Sequence, residues 1–152
     1  MGLGATEYIK YWYSDISNAN IIYAGTTAGL LKTSDKGQTW SRLSGTTEEA
    51  IGTFIDQLSA TKRVYHATKT KIIYSDNGGS SFTTLYTPSS IQIRQFTAGV
   101  DTKGLTLAFG DNNGAGACSW ASQYAASWGQ ASVDAVYNNC GYLWVNKYVA
   151  VS

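Results

Sequence analysis

Two carboxylates in matching surroundings are the first candidates for chemistry in this chain. Asp35 sits in Thr33-Ser34-Asp35-Lys36-Gly37-Gln38-Thr39-Trp40, and Asp76 sits in Tyr74-Ser75-Asp76-Asn77-Gly78-Gly79-Ser80-Ser81-Phe82, 76 − 35 = 41 residues later. An Asp among hydroxyls and glycines can ligate Ca²⁺, act in acid–base chemistry, or close a turn on its own carboxylate. A calcium loop needs several further carboxylates, which Asp76-Asn77 lacks. Turn closure needs only what is present. The Asp accepts from backbone N–H groups about two residues on, Gly37 or Gly78 takes positive φ, Thr33 with Thr39 or Ser75 with Ser81 ties the arms, and Trp40 or Phe82 anchors the hairpin to a core.

The flanking runs Leu30-Leu31-Lys32 and Lys71-Ile72-Ile73-Tyr74 read as strands entering these turns. Spacing of about 40 to 50 residues is that of propeller blades, and each period holds four short strands. The first unit runs through 8–13, 21–24, 30–34 and 40–43, and the second through 51–55, 64–67, 72–75 and 82–85, with Tyr23 and Tyr65 in the same place. A third begins at Ile91–Phe96 and continues through Leu105–Phe109, with Phe109 standing for Tyr65. Its hairpin is eroded. Either Ser122 to Trp128 fills that role without Asp and Gly, an alignment slightly preferred because it leaves a middle strand, or Asp111 to Trp120 does in expanded form. Ser132–Tyr137 and Tyr142–Val151, joined by Asn138-Asn139-Cys140-Gly141, read as a terminal hairpin. The expectation is one all-β domain over 1–152 with repeats near 7–45, 50–87 and 90–131 and a hairpin at 132–152. That is about three and a half propeller-type, four-stranded antiparallel blades. Propellers typically have 4 to 8 blades, so the array is a partial propeller, capped by its last segment, or one completed by a larger protein or by copies of itself.

The pattern S/T-x-D-x-G-x-T-W resembles the Asp-box, or BNR repeat, of sialidases, xyloglucanases, sortilin-type receptors and Ycf48-like photosystem assembly factors. Thr33, Asp35, Gly37, Thr39 and Trp40 match at every fixed position; the second copy, Ser75, Asp76, Gly78, Ser81 and Phe82, carries Tyr74 where Ser or Thr is expected and one inserted glycine. The resemblance implies a structural hairpin on the outer rim of a blade, away from any substrate face. Sialidases of this kind use an arginine triad, a Tyr–Glu pair and an acid Asp, with one arginine in an Arg-Ile-Pro motif. Here the arginines are Arg42, Arg63 and Arg94 and the single proline is Pro88, so that motif is absent. Xyloglucanase-like enzymes set two acids across a cleft between two propellers; Asp56 and Asp101, after the first strands of units two and three, are the carboxylates to test.

Composition agrees with many short strands: Gly 16, Tyr 11, Trp 5 and Pro 1 in 152 residues. A net charge of +1 leaves no footprint for nucleic acid or an anionic membrane. Lys62, Arg63, Lys69 and Lys71 read as a lysine-guarded hairpin edge. No apolar run reaches the length of a membrane span, so no membrane insertion is expected, and no signal-peptide core is evident. After Gly104 only Asp111, Asp134 and Lys147 carry charge, among many aromatic residues. Tyr11, Tyr13, Trp120, Trp128 and Trp144 are the candidate binding residues, since such rings serve a core, a subunit contact or a sugar face. Cys118 and Cys140 form a disulfide or stay as small core thiols. With His66 inside a strand, no metal-ligand set and no cofactor is expected. The expected function is a non-catalytic binding or assembly module, extracellular, on a cell surface or in a virion, partnered by itself or by a larger assembly. The alternatives are a piece of an Asp-box glycoside hydrolase and a glycan-binding, lectin-like module.

Overall fold

The computed structural model describes residues 3–88, 92–101, 104–111, 118–122 and 129–130. Its strands are β1 (Ile9–Asp15), β2 (Asn18–Thr26), β3 (Gly29–Thr33), β4 (Ser41–Arg42), β5 (Ala50–Ile55), β6 (Val64–Thr68), β7 (Ile72–Ser75), β8 (Thr83–Tyr86), β9 (Ile93–Asp101), β10 (Gly104–Asp111), β11 (Cys118–Ser122) and β12 (Gly129–Gln130). They form antiparallel four-stranded meanders, β1-β2-β3-β4, β5-β6-β7-β8 and β9-β10-β11-β12, and no helix occurs among the described residues. This is the all-β, blade-type architecture expected. The chain divides into two compact units, Met1–Thr87 with the first two sheets and Pro88–Ser152 with the third.

Local chemistry explains where the strands turn. At β2–β3 the Thr26 hydroxyl donates to Gly29 O (2.9 Å) and accepts from Ala28 N (3.1 Å), an ST-turn. Thr68, 42 residues on, repeats this at β6–β7, accepting from Thr70 N at 3.3 Å. Gly29 is obligatory: at φ +123°, a Cβ there would lie 1.6 Å from Thr46 O.

In the first unit the two sheets pack face to face. Alternation along the strands places Tyr13, Tyr23 and Lys32 in one row and Tyr11, Gly25 and Leu30 in the next, on one side of the first sheet. That side meets the second sheet. Tyr23, Leu30, Ile55 and Val64 form a buried cluster edged by Ile21, Leu43 and Phe82. The Tyr13 and Phe54 rings meet edge to face at 5.9 Å, and a Cβ on Gly25 would come within 2.8 Å of Ala50 Cβ. Burying each such aliphatic side chain contributes roughly 1.5–3 kcal/mol. β5 and β6 are buried nearly throughout, which is why their sequences lack the polar alternation of a one-sided strand.

In the second unit, β9 pairs with β10 through Phe96 opposite Phe109, and Ile93, Leu107 and Phe109 are buried. β11 ends at Ser122 and β12 begins at Gly129, so the connection between them occupies the place that follows β3 and β7 in the other sheets. Asp111 to Trp120 spans the β10–β11 connection instead. The conformation of 123–128 and the hairpin expected at 132–152 lie outside the described residues.

Candidate functional site

The Asp35 turn has the geometry its residue types dictate. Asp35 Oδ1 accepts from Thr39 N (2.8 Å) and Thr33 Oγ1 (2.7 Å), Oδ2 accepts from the Thr39 hydroxyl, and Thr33 Oγ1 accepts from Gly37 N at 2.9 Å. The Thr39 hydroxyl and amide and the Thr33 hydroxyl hold the Asp35 carboxyl down at about 2. Lys36 at φ 59° and Gly37 at φ 88° carry the left-handed step. Trp40 folds back over Gly37, its Nε1 donating to Gly37 O at 3.1 Å, so this indole closes its own turn rather than reaching the core cluster.

The second turn corrects the expectation for Asp76. Asn77, not Asp76, fills the Asp35 position: its Oδ1 accepts from Ser75 Oγ (2.8 Å) and Ser81 N (3.0 Å), and its Nδ2 donates to Ser81 Oγ (2.8 Å). Ser75 Oγ accepts from Gly79 N at 2.8 Å, so Gly79 replaces Gly78 as the counterpart of Gly37. The repeat is therefore ungapped at 77 − 35 = 42 residues, pairing Thr33 with Ser75, Thr39 with Ser81 and Trp40 with Phe82, and the inserted glycine disappears. Asp76 instead receives Arg63 Nε (2.6 Å) and Nη2 (2.8 Å) and the Thr61 hydroxyl. Gly78 keeps a separate task, its carbonyl accepting from Lys32 Nζ (2.8 Å) and Tyr23 OH (3.2 Å) and tying the second turn to the first sheet. Counting backward from Phe82 would have revealed this frame in the sequence.

Asp56 is likewise a turn residue. Buried at the end of β5, its Oδ1 accepts from Leu58 N (3.0 Å) and Ser59 N (3.1 Å). Asp15, 41 residues earlier, does the same at the end of β1 with Ser17 N (2.8 Å), a correspondence the sequence reading missed. Asp101 ends β9, with its side chain outside the described residues. Glu7 pairs with Arg42 at 2.6 Å; burial pushes Glu7 up, but Arg42 and Thr26 outweigh it and hold the carboxyl down at about 2. Glu49 pairs with Lys10 and Lys69, each at 2.6 Å, and Glu48 with Lys71 at 3.6 Å. The basic patch around the second sheet is thus largely neutralised by Glu48, Glu49 and Asp76. Among the described residues no cluster of His, Cys, Asp or Glu is placed to hold a metal ion, and no helix is long and apolar enough to cross a membrane.

The exposed aromatic residues lie on and just before β1, with Tyr11 and Tyr13 on one side of the sheet and Trp12 on the other. Trp12 is 70% exposed, Tyr8 63%, and Tyr11 and Tyr13 39% each, with Ile16 at the β1–β2 turn 81% exposed. Of the other candidates, Trp120 and Cys118 lie on β11, with side chains outside the described residues, as are Trp128, Trp144 and Cys140. His66 is wholly buried on β6, its Nδ1 3.0 Å from the Thr53 hydroxyl and its Nε2 without a partner. Burial pushes its pKa down to about 4.

No protein-family model matches the chain, and comparison with curated proteins finds no match. Among solved structures it is similar to an ancestral GH74 enzyme, with a TM-score of 0.50 at 13% identity. The match covers 81% of this chain and 25% of that one, so the chain spans about a quarter of that enzyme's length. GH74 enzymes are β-propellers, and the likeness agrees with the blade-type fold of the four-stranded sheets.

Proposed function

We propose that this chain is a non-catalytic binding or assembly module built from propeller blades, with the Asp35 and Asn77 turns serving as Asp-box hairpins. The observation that carries this reading is the aromatic run on and just before β1, which leaves Tyr8 and Trp12 largely exposed and Tyr11 and Tyr13 partly so. Large rings left exposed on a sheet mark a contact surface. The carboxylates support the same reading. A glycosidase acid needs a carboxyl whose pKa is raised. The shifted carboxyls among the described residues, Glu7, Asp15, Asp35, Glu48, Glu49 and Asp76, are all held below their ordinary values by hydrogen bonds and ion pairs. Asp56 is occupied by two backbone amides.

A soluble-glycan array run beside light scattering tests this proposal. Self-association or glycan binding supports it. Release of reducing sugar from a polysaccharide, abolished by Asp56→Asn or Asp101→Asn, overturns it in favour of a hydrolase piece.

A further inference from the structure

We propose that Asn77 and Gly78 form a self-modifying site, at which the Gly78 amide closes on the Asn77 side chain and leaves a carboxylate in the second turn. The inference is independent of the binding or assembly reading. The Gly78 nitrogen gives its proton to solvent base and attacks Asn77 Cγ. The N–Cγ bond forms, the Cγ–Nδ2 bond breaks, and the leaving nitrogen takes a proton from water to depart as ammonia. Water then opens the cyclic imide, so the net exchange is one water taken up for one ammonia released. Opening at Cγ leaves an aspartate at position 77; opening at the main-chain carbonyl leaves isoaspartate, whose backbone is one methylene longer.

The nucleophile must be an unhindered, free amide. Gly78 has no Cβ to block the approach, and its N–H meets no acceptor among the described residues. The matching amide of the first turn, Lys36 N, is engaged by Asn20 O at 3.2 Å. That nitrogen must also lose its proton. Bonds to the carbonyl of the same peptide unit stabilise the anion, and Asn77 O accepts from Ser80 N (3.4 Å) and the Ser80 hydroxyl (3.0 Å). Lys32 Nζ, on Gly78 O at 2.8 Å, adds a cation beside it, while the charge of Asp76 is taken up by Arg63.

The electrophile is prepared as well. Charge develops on Asn77 Oδ1 as the tetrahedral carbon forms, and Ser75 Oγ (2.8 Å) and Ser81 N (3.0 Å) already donate to that oxygen. Preorganised donors on a developing oxyanion lower such barriers. Asn77 is exposed, so water reaches the imide. The aspartate product has a ready place. Asp35 holds the same position in the first turn, accepting from the Thr39 hydroxyl and amide where Ser81 supplies both groups here.

The test is peptide mapping by mass spectrometry of the full chain aged in mildly alkaline buffer, folded and in urea, with Gly78→Ala and Ser80→Ala alongside. An isoaspartate-specific methyltransferase assay counts the second product, and Asn113-Gly114, the other Asn-Gly pair of the sequence, is read as a separate peptide. Lys36 at φ 59° shows that a side chain is accepted at the position matching Gly78 (φ 68°), and Ser80 is exposed, so both variants are expected to fold, which urea midpoints check. The folded wild type should convert at position 77 faster than the unfolded chain. Gly78→Ala should lose the conversion, and Ser80→Ala should slow it about 2- to 12-fold, the effect of one net hydrogen bond. Asn77 left intact in the folded protein overturns the proposal, and a folded rate no faster than the unfolded one overturns the part given to the turn. Undiminished conversion in Gly78→Ala overturns the nucleophile; an equal rate in Ser80→Ala overturns the role of the Ser80 bonds.

Discussion

Asn77→Ala should cost far more stability than Asp76→Ala, although Asp76 carries the charge and the better match to the motif. Alanine at 77 removes the bonds of Oδ1 to Ser75 Oγ and Ser81 N and of Nδ2 to Ser81 Oγ. At about 0.5–1.5 kcal/mol per net hydrogen bond, and toward the low end because Asn77 is exposed, the loss is about 1.5–3 kcal/mol. Alanine at 76 removes the pair with Arg63, whose partners are 28% and 39% exposed, and such a surface pair contributes about 0.2–1 kcal/mol. Asn77→Asp should stay within about 0.5 kcal/mol of wild type. The Ser81 hydroxyl can rotate to donate to the new carboxylate, as Thr39 does to Asp35. The assay is equilibrium urea unfolding followed by fluorescence, comparing variants at equal m-value. An Asp76→Ala loss equal to or above that of Asn77→Ala would refute the assignment of the turn to Asn77 and restore the 41-residue frame.

The buried imidazole predicts acid lability, because His66 has a folded pKa of about 4 against an ordinary 6.5. The unfolded chain then binds the extra proton between those values, so this contribution to stability is complete above pH 6.5 and is lost as pH falls toward 4. The loss is about 2–3 kcal/mol by pH 4.5. His66 is the single histidine of the chain, so His66→Gln should flatten urea midpoints measured between pH 6.5 and 4.5; an unchanged slope refutes its burial as the neutral form. Gly25→Val should destabilise the first unit by about 1–3 kcal/mol through overpacking against Ala50; an unaltered urea midpoint would mean the two sheets stand further apart. Gly29→Ala, driven against Thr46 O, should abolish folding of the first unit, and a native circular dichroism spectrum would contradict that turn. Leu30→Ala, emptying the centre of the inter-sheet cluster, should cost about 2–5 kcal/mol by the same unfolding assay.

The turn chemistry was legible because it is local. Thr33, Asp35, Gly37 and Thr39 satisfy one another within eight residues, so their identities and order suffice. The same locality misled at the second copy, where Ser75-Asp76-Asn77-Gly78-Gly79 offers two acceptors and two glycines to one turn. Only the hydrogen-bond register selects Asn77 and Gly79, and Arg63, thirteen residues upstream, captures the carboxylate left over. Asp56 read as a carboxylate to test because it follows a strand; its partners are the amides of the turn it closes.

Sequence by itself determined the approximate period, the four short strands in each of the first two repeats and where the chain turns between them, since strand alternation, glycine φ and side-chain capping act over a few residues. Tertiary structure decided which faces meet. His66 reads as an ordinary strand residue until tertiary packing buries it completely, and Trp12 and Tyr13 are adjacent aromatics until packing turns Tyr13 toward Phe54 and leaves Trp12 to solvent. Burial and exposure on a sheet depend on what lies about 10 Å across from it, and that neighbour comes from a distant part of the chain.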